Sequence, residues 1–297
     1  MSGRLLRRRC QGARVTGAPD LTVTAAQLLD LACSTALAAG ELLLSRSGRA
    51  SVVETKSSPT DVVTEMDRAA EEMIRSRILA DRPKDAILGE EGGQVGDQAG
   101  GVRWIVDPLD GTVNYLYGLP DWAVSIAAEM GGALVAGAVF VPRRGDLFSA
   151  RLGSGAWLRT GAAAGAASSA PQRLTCNLGV SLASALVATG FGYEAGRRHV
   201  QGAVLSAVLP RVRDIRRGGS CAVDLCSLAR GNVDAYYERG VHYWDIAAGG
   251  LIAREAGALV AGLSGRPAGS SMTVSAAPDL FAELHDLLVS LDPERDD

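Results

Sequence analysis

The sequence predicts a protein of mixed α and β structure. Three observations carry this prediction: helical periodicity near the N-terminus, short β segments broken by turns across residues 122–157, and alternating helix and strand signals in the C-terminal half. The chain has 297 residues, of which 47% are hydrophobic, so it can bury a large core in one domain or two.

The N-terminal part is predicted to hold two helices followed by two strands. Helix-forming residues dominate residues 22–45. A second helix begins after Thr64, a natural N-cap, and carries apolar residues at spacings of three and four until Pro83 ends it. Short apolar runs at residues 86–88 and 104–106 predict the two strands.

The middle and C-terminal parts differ in their predicted organisation. Residues 122–157 indicate an antiparallel meander, and the Gly/Ala/Ser-rich residues 161–171 are the best linker candidate. Helix and strand signals then alternate, which implies an α/β second half. The signals are a segment at 182–188, helices at 200–212 and 221–230, a strand at 233–237, a helix at 243–256, strands near Leu259 and Val274, and a helix at 278–291.

The first 20 residues form a basic arm that precedes the predicted domains. No apolar run of about 7–15 residues follows the basic start, so it does not resemble a signal peptide, and we interpret it as a disordered arm or a start codon placed too early. Elsewhere, Asp30 and Glu41 interrupt the Ala/Leu-rich residues that come closest to a membrane span. We expect a soluble cytoplasmic protein with an α+β domain over 21–165 and an α/β domain over 166–297.

Charge and cysteine content exclude several classes of function. The net charge of −3 argues against a dedicated nucleic-acid binder. Basic runs at 143–144 and 211–217 are most simply solvated faces, with guidance of anionic substrates or a partner as the alternative. The five cysteines are scattered and form no CxxC pair, so they predict neither a disulfide framework nor a zinc site.

Acidic residues occur at three separated places where ligand sites usually form in α/β proteins. Glu90 and Glu91 follow one predicted strand, Asp107 and Asp110 follow the next in a turn, and Asp245 begins a predicted helix. Carboxylates that converge on one point cannot all stay ionised without a cation. Oxygen ligands without His or Cys select Mg²⁺ or Mn²⁺ over zinc, so the sequence predicts a site for a hard divalent cation.

A phosphate-binding element is predicted next to these acids. Gly111 and Thr112 would present backbone N–H groups at the opening of a helix, where phosphate oxygens bind well. Each piece alone has an ordinary explanation, because Asp-Pro-x-Asp-Gly is usually a surface turn and Trp-Asp is usually an N-cap. Together and in order they favour phosphoryl chemistry by a two-metal route.

The residues that carry these features resemble the signature of a known family. Residues 104–115 (WIVDPLDGTVNY) resemble the first motif of inositol monophosphatases, and residues 244–249 (WDIAAG) resemble the second. Shorter matches follow the expected order at residues 56–61, 64–67, 89–91 and 234–238. The similarity covers roughly residues 21–290 and is strongest to the bacterial branch of the family.

This resemblance implies both a fold and an activity. The fold is a layered α-β-α-β-α sandwich of the inositol monophosphatase and fructose-1,6-bisphosphatase type, and homodimers are common. The activity is Mg²⁺-dependent hydrolysis of a small phosphate monoester, such as inositol 1-phosphate, without a covalent phosphoenzyme. Lithium inhibition is expected as well.

The resemblance also implies metal ligands. A first Mg²⁺ ion would be held by Glu90, Asp107 and the carbonyl oxygen of Leu109. A second would be held by Asp107, Asp110 and Asp245. Two or three ions would take part, and Mn²⁺ could replace Mg²⁺.

Catalytic and phosphate-binding roles follow in the same way. The attacking water would lie on the first metal and contact Glu90, which accepts its proton, and Thr112. Asp67 would stand behind Thr112. The N–H groups of Gly111 and Thr112 would bind the phosphate.

The remaining roles concern the substrate. Asp110, Glu238 and Asp245 would contact hydroxyl groups of the polyol, and the backbone near Cys221 would add to them. Lys56 would lie on a loop that closes near the metals.

Other readings of the sequence remain open. Related enzymes act on histidinol phosphate, fructose 1,6-bisphosphate, 3′-phosphoadenosine 5′-phosphate or NADP, and Glu238 would suit a cationic amine as well as a neutral polyol. His242, close to Glu238 in the chain, would either line the pocket or be structural. A different class of function is a regulatory partner of the RNA-synthesis machinery, which residues 4–9 could assist, although a pure binding protein would not need intact carboxylates.

Overall fold

The computed structural model describes residues 24–47, 52–55, 62–97, 99, 101–162 and 169–296. The basic arm, Lys56 and the middle of the predicted linker lie outside this part of the chain. The helices are α1 Ala25–Arg46, α2 Glu65–Asp81, α3 Thr112–Leu116, α4 Ala195–Val208, α5 Cys221–Ala229, α6 Tyr243–Glu255 and α7 Pro278–Leu291. The strands are β1 Val52–Thr55, β2 Val62–Thr64, β3 Ala86–Gly89, β4 Gly93–Val95, β5 Val102–Asp110, β6 Ala123–Met130, β7 Ala133–Val141, β8 Asp146–Arg151, β9 Ala156–Arg159, β10 Gln172–Arg173, β11 Leu186–Thr189, β12 Asp214–Arg216, β13 Ala235–Glu238, β14 Leu259–Ala261 and β15 Thr273–Ala276.

The larger sheet has eight strands in the order β10-β9-β8-β7-β6-β5-β3-β4. Strands β6 to β9 form the predicted antiparallel meander, and β3 pairs with β5 in parallel. Helices α1 and α2 cover one face of this sheet, while α5 and α6 cover the other. The sheet is therefore buried between two helical layers, as its run of apolar strands requires.

The smaller sheet has five strands in the order β12-β11-β13-β15-β14. Adjacent residues of β13 alternate between its faces, so that Tyr236 packs toward α5 and α6 and Tyr237 packs toward α4 and α7. The layers are thus α1 and α2, the larger sheet, α5 and α6, the smaller sheet, and α4 and α7. The predicted α-β-α-β-α sandwich is confirmed.

Local sequence signals explain where several helices begin. Thr24 caps α1 in a reciprocal capping box with Gln27. Pro278 occupies the first turn of α7, where its missing N–H costs nothing. Helix α4 begins after Glu194, whose carboxylate accepts from the Gly196 N–H, and is therefore longer at its start than the predicted helix at 200–212.

Helix α1 is long and apolar enough, by length and composition alone, to cross a membrane. The core helix of a soluble protein passes the same test, and one face of α1 packs against the larger sheet, with Leu28, Ala32, Ala36 and Leu43 fully buried there. The four cysteines of the described chain, Cys33, Cys176, Cys221 and Cys226, are all buried free thiols.

The two halves of the chain share the central helical layer. Strand β10 adds to the larger sheet beyond the predicted division at residue 165, and α5 and α6 contact both sheets. The division itself falls among residues outside the described part of the chain, and the domain boundaries stay a prediction.

Candidate functional site

Glu90, Asp107, Asp110 and Asp245 line one cavity of about 410 Å³, which we call the central cavity, whereas Glu91 and Asp67 do not line it. It lies where the ends of β3, β5 and β13 meet the first turns of α5 and α6. Its walls include nearly all the predicted site residues: Glu90, Asp107, Leu109, Asp110, Gly111, Thr112, Cys221, Glu238 and Asp245. A larger groove of about 520 Å³ between α1, β8 and β9 contains none of them.

The segment that carries Asp107 and Asp110 is the end of β5. The sequence predicted a turn after the strand, but the strand continues through both acids, with an irregular register against β6 between them. The Leu109 N–H donates a hydrogen bond to Asp107 Oδ1 at 3.0 Å. This bond holds the Asp107 carboxylate against the backbone two residues further along the same strand. This irregularity allows both carboxylates to face the central cavity.

Glu90 lies on a tight loop that is held by a residue of α2. Glu71 accepts the N–H groups of Glu91 at 2.8 Å and Gly92 at 2.9 Å, and its other contact is an ion pair with Arg75 at 2.8 Å. The side chain of Glu71 is 4% exposed, so these bonds are shielded from water. This role of Glu71 was not predictable from sequence, because Glu71 and Arg75 form only an ordinary i,i+4 pair on a helix.

Two glycines of this loop are explained by the same contact. A Cβ atom on Gly89 would lie 2.5 Å from Glu71 Oε1, and one on Gly92 would lie 2.5 Å from Arg75 Nη2. A side chain at either position would push the carboxylate or the guanidinium away from the loop.

Asp110 is bound to the beginning of α5, about 110 residues further along the chain. Its Oδ2 atom accepts from Ser220 Oγ and from the Ala222 N–H, each at 2.6 Å. Ser220 also caps α5 through the Val223 N–H. A carboxylate is favoured at a helix N-terminus, and Ser220 was missed because its partner is distant in the sequence.

Thr112 and Asp67 meet as predicted. The Thr112 hydroxyl lies 3.1 Å from Asp67 Oδ1 and 3.2 Å from the Leu109 carbonyl oxygen. Asp67 is 1% exposed. Gly111 precedes α3 with φ of 93°, a left-handed conformation that favours glycine, and the helix has only five residues.

Asn114 ties this turn to the loop that precedes α5. Its amide nitrogen donates to the carbonyl oxygens of Asp121 at 2.5 Å and Gly218 at 2.9 Å. Asn114 is buried, and its role is another that the sequence did not reveal, since Gly218 is 104 residues away.

Asp245 occupies the first turn of α6. Its Oδ2 atom accepts from the His242 N–H at 2.6 Å, and the His242 ring stacks on Trp244 with centroids 4.9 Å apart. His242 lines the central cavity. Its N–H also helps to order the start of the helix.

Burial and mutual repulsion disfavour the charges of the acids. Burial, and then the nearby Glu90, Asp110 and Asp245, raise the pKa of Asp107 well above its ordinary value. Burial followed by Asp110 and Glu90 raises the pKa of Asp245 well above its ordinary value. The pKa of Asp110 is also raised by burial, although its bonds to Ser220 and α5 oppose the shift.

Glu238 and Cys221 also line the central cavity. Burial raises the pKa of Glu238 to about 7, opposed by a hydrogen bond from the Tyr236 hydroxyl at 2.9 Å. Burial and the neighbouring carboxylates raise the pKa of the Cys221 thiol well above its ordinary value. Cys221 is therefore protonated near neutral pH and is unsuited to act as a nucleophile.

The donor set fits a hard divalent cation, because carboxylate oxygens and the Leu109 carbonyl are the ligands such ions prefer. Within the described residues, no three His, Cys, Asp or Glu side chains are already grouped to hold a metal ion. Asp110 and Asp245 are engaged by backbone N–H donors instead. A dication bound among these carboxylates would relieve the repulsion that helps to raise the pKa values of Asp107 and Asp245.

Comparison with known proteins gives consistent matches. The profile of the inositol monophosphatase family matches residues 24–291. An inositol-1-monophosphatase of Mycobacterium bovis is 46% identical over 247 residues, which cover 81% of this chain and 83% of that protein. A protein of Pasteurella multocida named Nus factor SuhB is 37% identical over 261 residues, covering 86% of this chain and 94% of that protein.

A solved structure shows the same architecture. The structure of Mycobacterium tuberculosis SuhB superimposes with a TM-score of 0.76 at 40% sequence identity, covering 91% of this chain and 99% of that chain.

Proposed function

The chain belongs to the inositol monophosphatase family, and we propose that it hydrolyses a small phosphate monoester with the help of Mg²⁺, inositol 1-phosphate being the favoured substrate. The observation that carries this proposal is the meeting of Glu90, Asp107, Asp110 and Asp245 in one cavity beside Gly111 and Thr112. Four acids from three separate segments of the sequence would not converge in this way for structural reasons alone, since their repulsion opposes folding.

Metal binding is assigned to the acids at this wall of the cavity. Glu90, Asp107 and the Leu109 carbonyl would hold one Mg²⁺ ion, and Asp107, Asp110 and Asp245 another. When bound, such ions supply Lewis-acid stabilisation of the phosphoryl group and increase the acidity of water.

The chain's own groups then orient and deprotonate the attacking water. The Thr112 hydroxyl donates a hydrogen bond to Asp67. The lone pairs of its oxygen can therefore accept a hydrogen bond from a water molecule in the central cavity. Glu90, held in place by the loop that Glu71 binds, takes the proton of the water as general base. The N–H groups of Gly111 and Thr112 bind phosphate oxygens at the start of α3.

The polyol would lie against Glu238 and the first turn of α5. Glu238 is held by the Tyr236 hydroxyl and packs directly on Gly190, where a Cβ atom would lie 2.1 Å from its Oε2 atom. A carboxylate fixed in this way would accept hydrogen bonds from the hydroxyl groups of a polyol.

A panel of phosphate monoesters tests the proposal. Phosphate release is measured from inositol 1-phosphate, histidinol phosphate, fructose 1,6-bisphosphate, 3′-phosphoadenosine 5′-phosphate and NADP with Mg²⁺, with EDTA and with added Li⁺. We expect inositol 1-phosphate to give the highest kcat/KM, EDTA to remove activity and Li⁺ to reduce it. Activity that is indifferent to EDTA would overturn the metal assignment.

A second candidate function has a specific observation in its favour. The name of the Pasteurella relative, Nus factor, refers to RNA synthesis. Exposed arginines at Arg213, Arg216 and Arg217 offer a basic surface beside α5. We propose catalysis as the primary function, because a binding surface of this kind would not need the buried acids of the central cavity.

Assembly and location complete the proposal. We expect a cytoplasmic homodimer, as is common in the family. Light scattering of the purified chain at micromolar concentration measures the assembly directly.

A further inference from the structure

The residues at positions 292–296, which we call the C-terminal segment, contact the part of the chain that carries Glu238. They follow α7 and begin just after residue 291, where the match to the family profile ends. Pro293 of this segment is buried, and it lines a small cavity of about 10 Å³ together with Glu238 and Gly190. The C-terminal segment therefore reaches the immediate surroundings of the carboxylate that we assign to polyol binding.

The C-terminal segment binds Arg239, the residue that directly follows Glu238. Arg239 Nη1 donates to the carbonyl oxygens of Arg295 at 2.6 Å and Pro293 at 3.3 Å, and its Nη2 atom pairs with Asp296 at 2.8 Å. The side chain of Arg239 is 11% exposed, whereas that of Asp296 is 95% exposed. Because an ion pair to a fully solvated carboxylate contributes little, the bonds to the two carbonyl oxygens hold the guanidinium group in place.

The backbone around Arg239 is held from two further sides. The buried side chain of Gln201 donates to the Arg239 carbonyl oxygen at 3.1 Å and accepts from the Gly192 N–H at 3.0 Å. The Gly240 N–H donates to the Ser270 carbonyl oxygen at 2.9 Å. Gly192, Arg239 and Gly240 all line the central cavity, so these bonds fix the cavity wall on both sides of Arg239.

Strand geometry connects the position of Arg239 to that of Glu238. Successive side chains of a strand point to opposite faces, so Glu238 shares a face of β13 with Tyr236, whose hydroxyl it binds. Arg239 then points to the same face as Tyr237, which packs toward α4 and α7. A displacement of Arg239 would therefore rotate the end of β13 and move the Glu238 carboxylate on the opposite face.

We propose that Arg239 is a positioning residue for the substrate site and that the C-terminal segment fixes it. Through Arg239, this segment holds Glu238 in the orientation in which its carboxylate accepts hydrogen bonds from polyol hydroxyl groups. The inference rests on the proposed function and deepens it, because it makes recognition of the polyol depend on residues that lie beyond the family match.

Kinetics with inositol 1-phosphate test the proposal. KM and kcat are measured for the wild type, for Arg239→Ala, for Arg239→Lys and for a chain that lacks residues 292–297. Arg198→Ala is the matched control, because Arg198 is an exposed residue of α4 and its replacement removes the same charge. Asp296→Asn is a second control within the C-terminal segment.

We expect Arg239→Ala and the deletion each to raise KM about fivefold or more with a smaller change in kcat, because a displaced Glu238 binds the polyol less well. Arg239→Lys should raise KM by an intermediate factor, since an ammonium group cannot reproduce the planar donors of a guanidinium group. Asp296→Asn should change KM less than about twofold. Arg198→Ala should leave KM unchanged.

A double-mutant cycle separates positioning from general stability. Glu238→Gln removes the carboxylate on which Arg239 is proposed to act, so in that background Arg239→Ala should raise KM less than about twofold. An equal increase in both backgrounds would overturn the assignment, as would a wild-type KM in either Arg239→Ala or the deletion. Should Arg239→Ala fail to fold, the same cycle with Arg239→Lys decides.

Failure of the proposed function has a different signature, because the wild type would then release no phosphate from inositol 1-phosphate. In that case the cycle is repeated on the Kd of inositol 1-phosphate, measured by calorimetry with Mg²⁺. A loss of affinity in Arg239→Ala that requires Glu238 supports the assignment. A wild type that does not bind the compound rejects it.

Discussion

Burial and neighbouring acids raise the pKa values of Asp107 and Asp245, so their ionised forms are disfavoured in the folded protein. Replacing either residue should therefore change both activity and stability. We expect Asp107→Asn and Asp245→Asn each to reduce kcat below about 1% of wild type, because the acids would no longer bind the cations on which turnover depends. Phosphate release from inositol 1-phosphate at saturating Mg²⁺ measures this. Either variant with most of the wild-type activity would contradict the assigned roles.

The same variants should stabilise the protein in EDTA. A carboxyl group whose pKa is raised on folding contributes stability at low pH and loses it as the pH rises through the folded-state pKa. Near pH 7.5 the Asn side chain avoids that loss, so we expect Tm to rise by about 2 °C or more. Glu41→Gln, an exposed carboxylate on α1, is the control and should leave Tm unchanged.

Glu238 gives a pH-dependent prediction, since burial raises its pKa to about 7. Above that pH the ionised carboxylate accepts hydrogen bonds from polyol hydroxyl groups, and these bonds are stronger than those to its protonated form. The ratio of KM for inositol 1-phosphate between Glu238→Gln and wild type should therefore increase about fivefold from pH 6 to pH 8. Taking the ratio cancels the effect that ionisation of the substrate phosphate has on both KM values. A KM ratio that does not change with pH would exclude hydrogen bonding of the polyol by ionised Glu238.

Individual residues of the site were predictable to the extent that they belong to local patterns. Asp107, Asp110 and Asp245 stand next to turn or cap residues, so the sequence places them at element ends. Glu71 and Ser220 were missed because each binds a group 20 or more residues away in the chain. No periodicity or spacing reports a contact of that kind.

At the level of elements, α2 supports the loop that presents Glu90. We expect Glu71→Ala to raise the Mg²⁺ concentration for half-maximal activity about tenfold or more, because the Glu91 and Gly92 N–H groups lose their acceptor and Glu90 loses its fixed position. Titration of activity with Mg²⁺ measures the change.

Glu72→Ala is the control for this experiment, because Glu72 is the next residue of α2 and is exposed. It should leave the Mg²⁺ titration unchanged. An identical response of both variants would show that α2 acts only through general stability.

The elements themselves were predicted best where several signals agreed. Helix α7 matches its predicted range because Pro278 marks its start and the apolar spacing continues to Leu291. Helix α4 begins five residues before the predicted helix, since its first turn carries no apolar repeat. Strands β4 and β12 were missed because they are short and largely exposed, so they lack the alternation of buried and exposed residues that marks a strand.

At the scale of the whole molecule, the family match begins at residue 24, which leaves the basic arm outside it. We expect deletion of residues 1–20 to leave kcat/KM for inositol 1-phosphate within about twofold of the full chain, because the described site residues begin at Asp67. Binding to RNA and to RNA polymerase, measured on the same two proteins, tests the regulatory alternative. Loss of binding with intact catalysis would assign the arm to a partner.

The layered architecture was predicted through family resemblance rather than from periodicity. Alternating helix and strand signals indicated an α/β second half, but they did not show that α5 and α6 would be enclosed between two sheets. That arrangement depends on contacts between distant parts of the chain, such as the packing of α6 on β6 and β7. Sequence patterns describe one element at a time and do not contain such pairings.

The bond between Asp110 and Ser220 has a consequence for biosynthesis. It closes a loop of about 110 residues, and Asp245 follows still later, so the N-terminal half emerges from the ribosome with Asp107 and Asp110 exposed and without their later neighbours. A nascent chain cannot assemble this cluster until α6 has been translated. Truncated products of translation that end before α6 would therefore lack Asp245, and the carboxylate cluster would be complete only once nearly the whole polypeptide has been made.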